Sequence, residues 1–179
     1  KDTSGLMVVA RTRQAMDALV AQIAAREVHR QYLAIAHKCW AGPAQKHVDA
    51  AIGRDPGNRL RMAVVDLTHQ SGKTASTTLD VLAQGERCCL VRCTLHTGRT
   101  HQIRVHMAHI GHPLIGDPVY GGAAAGGMVR QALHAWRLAF VHPITGVDMD
   151  FQTDWPQDMA AALLPLGLSY NLGLGMRVA

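Results

Sequence analysis

Between Cys88 and Ile110 the spacing of apolar residues changes from that of a strand to that of a helix. In CCLVRCTL, Cys88–Leu95, the residues Leu90, Arg92 and Thr94 alternate with Val91, Cys93 and Leu95. That is the two-residue period of a strand with at least one well-packed face. From Thr100 to Ile110 the residues Ile103, Met107 and Ile110 are spaced as one buried stripe of a helix, and Thr100 is placed to cap it. The junction carries HTGRTHQIRVHMAHIGHP, His96–Pro113, with two arginines, five histidines and no acidic residue. A metal, a phosphate or a folded RNA would each use so many donors.

The flanking chain supplies more strands than helices. Gly5–Ala10 is a short apolar run that reads as a buried strand. Thr12–Glu27 reads as a helix with Met16, Leu19, Val20 and Ile23 on one face. Gln31–Ala36, Leu60–Val65, Ser76–Leu82, Leu133–Val141 and Val147–Phe151 read as strands, the last two flanking a His-Pro-Ile-Thr-Gly turn. Gly42–Arg61 reads as a polar, turn-rich connection, Gly121–Gly127 as a Gly/Ala loop, and Asp158–Leu164 as a short closing helix. Asn171–Ala179 has no clear pattern and is expected to fray. The sum predicts an α+β fold with a mixed, mostly antiparallel sheet flanked by helices and loops. With 179 residues, one domain with a sizeable core is expected.

Charge narrows the partners. Lys+Arg is 18 against 13 for Asp+Glu, and 14 of the 18 cations are Arg. The planar Arg fork suits phosphates and base edges. No stretch approaches the roughly 18 consecutive apolar residues of a membrane-spanning helix, so no membrane partner is expected. Cys39, Cys88, Cys89 and Cys93 form no C-x-x-C pair, which fits reduced thiols and a cytoplasmic location.

Several side chains could carry chemistry. On a helix over 100–110, His101 and Arg104 are three apart and share a face, away from the apolar stripe. A half-buried Arg needs an anion: a phosphate, or a core carboxylate in a purely structural pair. His106, His109 and His112 are spaced by three, as zinc ligands can be. No carboxylate or thiolate lies near them in sequence, the H-E-x-x-H pattern is absent, and Gly111 and Pro113 should end the helix before His112. Arg54, Arg59 and Arg61, in IGRDPGNRLRMAV, lie in a turn-rich segment expected to be exposed. They are either a solvated loop or phosphate contacts that position RNA without reading its sequence. Tyr32, in REVHRQYLAIA, fits a core or cross-strand position as well as a functional one. Asp2, before Thr3-Ser4-Gly5, fits an Asx-turn.

Taken in order, KDTSG, the Tyr32 segment, IGRDPGNRLRMAV, HTGRTHQIRVHMAHIGHPLIGDPVYGG and LHAWRLAFVHPITG resemble the RluA-type RNA pseudouridine synthases. The resemblance covers about residues 1–160 and is greatest to the large-subunit ribosomal RNA pseudouridine synthase D group. It implies the pseudouridine synthase fold and an isomerase that breaks the N1–C1′ bond of uridine, rotates the uracil and forms a C5–C1′ bond. It implies no metal and no organic cofactor. The family motif H-R-L-D-x-D-T-[ST]-G ends in this chain's KDTSG, so the nucleophilic Asp is expected immediately before Lys1. Asp2 matches the second acidic position, which is not the nucleophile. Tyr32 matches the active-site Tyr that packs on the target base and is implicated in removing the C5 proton. Arg104 matches the Arg that pairs with the catalytic Asp. Arg54, Arg59, Arg61, Arg99 and His101 are the expected RNA contacts. His37-Lys38-Cys39 stands where the family commonly has a Gly.

The resemblance further implies that residues 1–165 are the C-terminal portion of the catalytic domain, that 166–179 form an irregular tail, and that an S4-like RNA-binding domain lies upstream. The segment alone is expected to be inactive. The expected partner is large-subunit (23S) ribosomal RNA in a stem-loop or a pre-ribosomal particle, placing the chain in rRNA processing and ribosome biogenesis, and a monomer is the default. Two rivals differ in class: an inactive RNA-binding or ribosome-assembly module of the same fold, and a metal-dependent hydrolase built on the histidines.

Overall fold

The computed structural model describes residues 2–170. In chain order the elements are β1 (Ser4–Gly5), α1 (Arg13–Ala25), β2 (His29–His37), β3 (Gln45–Asp49), β4 (Ile52–Arg54), β5 (Met62–Val64), β6 (Gly72–Lys73) and β7 (Ser76–Gln84). They continue with β8 (Cys88–Leu95), α2 (Gln102–His109), a 3-10 turn (Pro118–Tyr120), β9 (Leu133–Val141), β10 (Asp148–Gln152) and α3 (Gln157–Leu163).

Seven strands form the main sheet in the order β1-β9-β2-β8-β7-β3, with β10 also on β9. β1 is parallel to β9 and the other pairings are antiparallel. The expected α+β class with a mostly antiparallel sheet is the fold observed. β2 and β8 are central and covered on both faces, which is why LAIA and CCLV are unbroken apolar runs. Ala34, Ala36, Cys89, Val91 and Cys93 face one core, which includes Ile103 and Met107 of α2. Ile35, Cys88 and Leu90 face the other, with Met159, Ala162 and Leu163 of α3.

A second sheet of three strands, β5-β4-β6, covers the far side of α2, where Val105 meets Ile52, Ala75, Met62 and Val64. The polar connection expected over 42–61 therefore contains two strands, β3 and β4. Their β character comes from tertiary pairing, β3 with β7 and β4 with β5 and β6, which overrides a weak local propensity.

Other expectations need correcting. The strand expected over Gly5–Ala10 is two residues, Ser4–Gly5, and Met7 and Val9 are exposed. Gly5 has φ +101° and runs so close to Ala135 that any Cβ would collide with its carbonyl, so only glycine suits this position. α1 starts on Thr12, whose hydroxyl accepts from the Ala15 amide at 3.2 Å, but only Leu19 of its apolar stripe is buried. The helix is held instead by Gln22, whose amide donates to the Val141 carbonyl at 2.8 Å and accepts from the Val141 amide at 3.2 Å. The tail expected over 171–179 lies outside the described residues.

α2 is fixed to the main sheet by polar stitches as well as by packing. Gln102 donates to the Ser76 carbonyl and to Thr77 Oγ1, both at 2.9 Å. Its own carbonyl accepts from Thr97 Oγ1 at 2.7 Å and from the Arg99 amide at 2.9 Å. One turn on, His106 is fully buried, with Nε2 2.9 Å from the Ala50 carbonyl and Nδ1 2.9 Å from Thr77 Oγ1. A carbonyl only accepts, so Nε2 carries the proton and Nδ1 accepts. His106 is thus a neutral core histidine, and burial lowers its pKa below the ordinary value. Burial does the same to His134.

With folded values depressed below the unfolded value of about 6.5, the unfolded chain binds protons that the folded chain refuses. The stability they contribute is present above that pH and is lost as pH falls through it toward the folded values. The thermal midpoint should therefore drop between pH 7.5 and pH 5.5, and His106→Gln should shrink the drop. A midpoint equal at both pH values in the wild type would contradict the neutral, buried assignment.

Candidate active site

The C-terminal arm of HTGRTHQIRVHM turns Arg104 away from the main core and toward the loop that follows α2. There its Nε and Nη2 donate to the two carboxylate oxygens of Asp117, each at 2.7 Å. Asp117 is fully buried and Arg104 nearly so. The bidentate fork fixes the plane of the guanidinium. Tyr120 lies over it, with the Arg104 Cζ 4.7 Å from the ring centroid, a distance suited to a cation–π contact. Burial alone would lower the Arg104 pKa, but the hydrogen bonds and charge of Asp117 outweigh it and the pKa is raised. Asp2, whose carbonyl accepts from Arg130 Nη1 at 3.1 Å, adds to that field.

Tyr120 is itself held from two sides. Its hydroxyl accepts from the Met62 amide at 3.0 Å and lies 2.8 Å from His101 Nδ1. His101 and Arg104 therefore do meet at one place, as their spacing predicts, and Tyr120 is what they share. The expected cap differs. The helix begins at Gln102, with His101 in the left-handed region and no side-chain cap, so Thr100 does not cap it. Burial, then the Arg104 charge, lowers the His101 pKa.

Tyr32 stands on β2 opposite Cys93 and Ala135, on the side that packs against Ile103 and Met107 of α2. It is half-buried. Burial raises its phenol pKa, and the positive charge of Arg30 acts against that rise. At neutral pH the phenol keeps its proton.

The remaining cations are less free than their sequence suggests. Arg54 donates to the Arg59 carbonyl at 3.1 Å. Arg61 is paired with Asp55, whose other oxygen caps the turn by accepting from the Gly57 amide at 2.8 Å. Arg59 is exposed. All three sit at the small sheet, which reaches Tyr120 through Met62. Arg99 donates through Nε to the Thr74 carbonyl at 2.9 Å. The three spaced histidines do not converge. His106 is buried as described, whereas His112 stacks on Trp40, ring centroids 4.8 Å apart, with Nδ1 3.0 Å from the His37 carbonyl. Among the described residues no group of three His, Cys, Asp or Glu could hold a metal ion.

Sequence reasoning missed Asp117 and Tyr120, although both lie in the quoted GDPVYGG. The detectable signal was a lone acid in an apolar run after a cation-rich helix. Asp117 is the carboxylate left open for Arg104 by the sequence alone.

A family model described as RNA pseudouridylate synthase matches residues 1–109. Over 168 residues the chain is 45% identical to the ribosomal large subunit pseudouridine synthase D of Zymomonas mobilis, covering 89% of this chain and 51% of that protein. Over 173 residues it is 47% identical to the protein of the same name from Nitrosomonas europaea, covering 91% and 48%. The chain thus spans about half the length of these curated relatives. Among solved structures, Human RNA Pseudouridylate Synthase Domain Containing 1 superposes with a TM-score of 0.69 at 28% identity, over 86% of this chain and 66% of that one. The family match covers more than half of the sequence and the solved fold covers most of it, so the chain belongs to the RNA pseudouridylate synthase family.

Proposed function

We propose that this chain is the C-terminal portion of a catalytic domain that isomerises uridine to pseudouridine in large-subunit ribosomal RNA, using a nucleophilic Asp immediately upstream of Lys1. The observation that carries the reading is the setting of Arg104. Asp117 uses its Nε and Nη2, the Tyr120 ring covers it, and the field of Asp2 reaches it. Nη1 then faces the task of binding a second carboxylate from the segment next to Asp2. A carboxylate entering this partly desolvated place would otherwise tend to protonate, and a fixed cation keeps it ionised and aimed.

The chemistry divides among few groups. The upstream Asp works at the ribose side while the N1–C1′ bond breaks. The freed uracil turns and C5 bonds to C1′, after which the C5 proton must leave. Tyr32 packs on the base, and its protonated phenol serves as a relay, handing its own proton to solvent as it accepts the one from C5. Arg104 holds the Asp, and Asp117 positions Arg104. The target base must leave its stack to reach Tyr32. Arg54, Arg59, Arg61, Arg99 and His101 are the proposed RNA contacts around it, supplying position rather than sequence reading.

Release of tritium from C5-labelled uridine in large-subunit ribosomal RNA tests the reading, using protein extended upstream of Lys1. Release is expected. Arg104→Ala should abolish it, and Tyr32→Phe should slow it by about 10²-fold or more while RNA binding survives. Tight RNA binding without release from the extended wild type would instead favour an inactive RNA-binding module. Undiminished turnover by Arg104→Ala would remove that residue from the mechanism.

The positioning role of Asp117 has a separate signature. Asp117→Ala strands a buried cation and should lower the unfolding free energy by about 3–5 kcal/mol in chemical denaturation. The double variant Arg104→Met/Asp117→Leu should regain most of that stability yet release no tritium. A stable double variant that turns over would show the pair to be purely structural.

A further inference from the structure

Among the described residues, Arg30 is the arginine whose Nε is buried without a hydrogen-bond partner. It lies on β2 beside Leu95 of β8 and Leu138 of β9, two residues from Tyr32 and on the same face of the strand. Burial lowers its pKa, and among the described residues the titratable group whose charge acts back on it is Tyr32. By contrast Arg92, Arg104 and Arg130 each hold a carboxylate, on Asp80, Asp117 and Asp158. Gly98 makes the position available. A Cβ there would collide with Arg30 Nη1 and lie 3.3 Å from its Cζ, so the guanidinium rests against the bare backbone of the His96–Pro113 segment.

An arginine packed in this way is costly to keep, because a desolvated cation without a counter-charge gains nothing from the fold. Its planar fork matches phosphate oxygens. Two residues along a strand cover about 7 Å, so a base stacked on Tyr32 and a phosphate one ribose away fit the pair together. We infer that Arg30 is a phosphate-binding residue, holding a backbone phosphate adjacent to the flipped uridine while Tyr32 holds the base. This rests on the RNA-isomerase reading above. Gly98 serves it by leaving room for the guanidinium, which gives the glycine of TGRT a role beyond its turn.

The test uses the full-length protein and two probes: unmodified large-subunit ribosomal RNA transcript, and a target hairpin with a single methylphosphonate 5′ or 3′ of the modified uridine. Arg30→Gln should weaken binding of the transcript about 10-fold and reduce the slope of log K against log salt by about 0.7–0.9, one phosphate's worth. One of the two methylphosphonates should weaken wild-type binding by a similar factor and leave Arg30→Gln unaffected. Arg30→Lys should recover part of the affinity. Since no native ion pair is lost, the thermal midpoint of Arg30→Gln should equal or exceed that of the wild type.

Unchanged affinity and salt slope in Arg30→Gln, or equal sensitivity of both proteins to both methylphosphonates, would overturn the inference. So would a collapse of tritium release with binding intact, which would make Arg30 a partner of Tyr32 or of the nucleophile. A clear fall in thermal midpoint would make it structural. If the wild type itself neither binds the transcript in a salt-dependent way nor releases tritium, the RNA-isomerase reading fails first, and the two failures are thereby distinguished.

Discussion

The buried pair of Arg104 and Asp117 is the interaction on which the surrounding structure depends. Neither charge could be held at this depth alone. Asp117 reaches Arg104 only because the chain after α2 is pinned to β2, where the Ile115 amide donates to the Ile35 carbonyl at 2.9 Å and the His37 amide donates to the Pro113 carbonyl at 2.9 Å. Tyr120, three residues beyond Asp117, then covers the guanidinium and accepts from the small sheet. One ion pair thus sets the relation of α2, the following loop and the three-stranded sheet. Such pairs add little net stability compared with an apolar substitute. What this one provides is a guanidinium with a fixed plane.

The donor-rich stretch that dominates the sequence serves two tasks, divided by face of α2. Gln102 and His106, one turn apart, spend their hydrogen bonds on β7 and on the chain between β3 and β4. Arg104, between them in sequence, looks the other way, toward Asp117. The fold's stitching and the site's cation are interleaved residue by residue, so a shift of the helix that harmed one would displace the other. His101, left-handed at the helix start, joins the two by ending on the Tyr120 hydroxyl.

How much of this could be read from residues follows the range of the forces involved. β8 and the core stripe of α2 were legible because periodicity is local and strong: Cys89, Val91, Cys93, Ile103 and Met107 are all in one buried cluster. The hairpin of β9 and β10 was legible from its turn. β3 and β4 were not, since QKHVD and IGR become strands only by pairing with distant partners. The opening apolar run misled because Met7 and Val9 are exposed, and no local pattern reports what is absent from above a segment. In the site, Tyr32 and Arg104 came from resemblance, while the fork on Asp117 spans 13 residues across a loop whose path no periodicity encodes. Arg61 looked free in sequence and is tied to Asp55, because the turn in DPGNRLR brings its two ends together.

Arg30 and Arg104 show what burial does to a cation under two different constraints. Arg104 has its counter-charge built in, so its position is determined before any ligand arrives. Arg30 sits against Gly98 with no hydrogen-bond partner for its Nε among the described residues, and the neighbouring Tyr32 feels its charge. A fold that neutralises one and not the other has kept one desolvated positive charge next to the phenol. The stability so forgone is recovered only when an anion binds, which makes that anion's binding favourable in proportion to the cost. Placed two residues from Tyr32, this arrangement couples recognition of the nucleotide's charge to placement of its base, and does so from a central strand whose backbone is held on both sides.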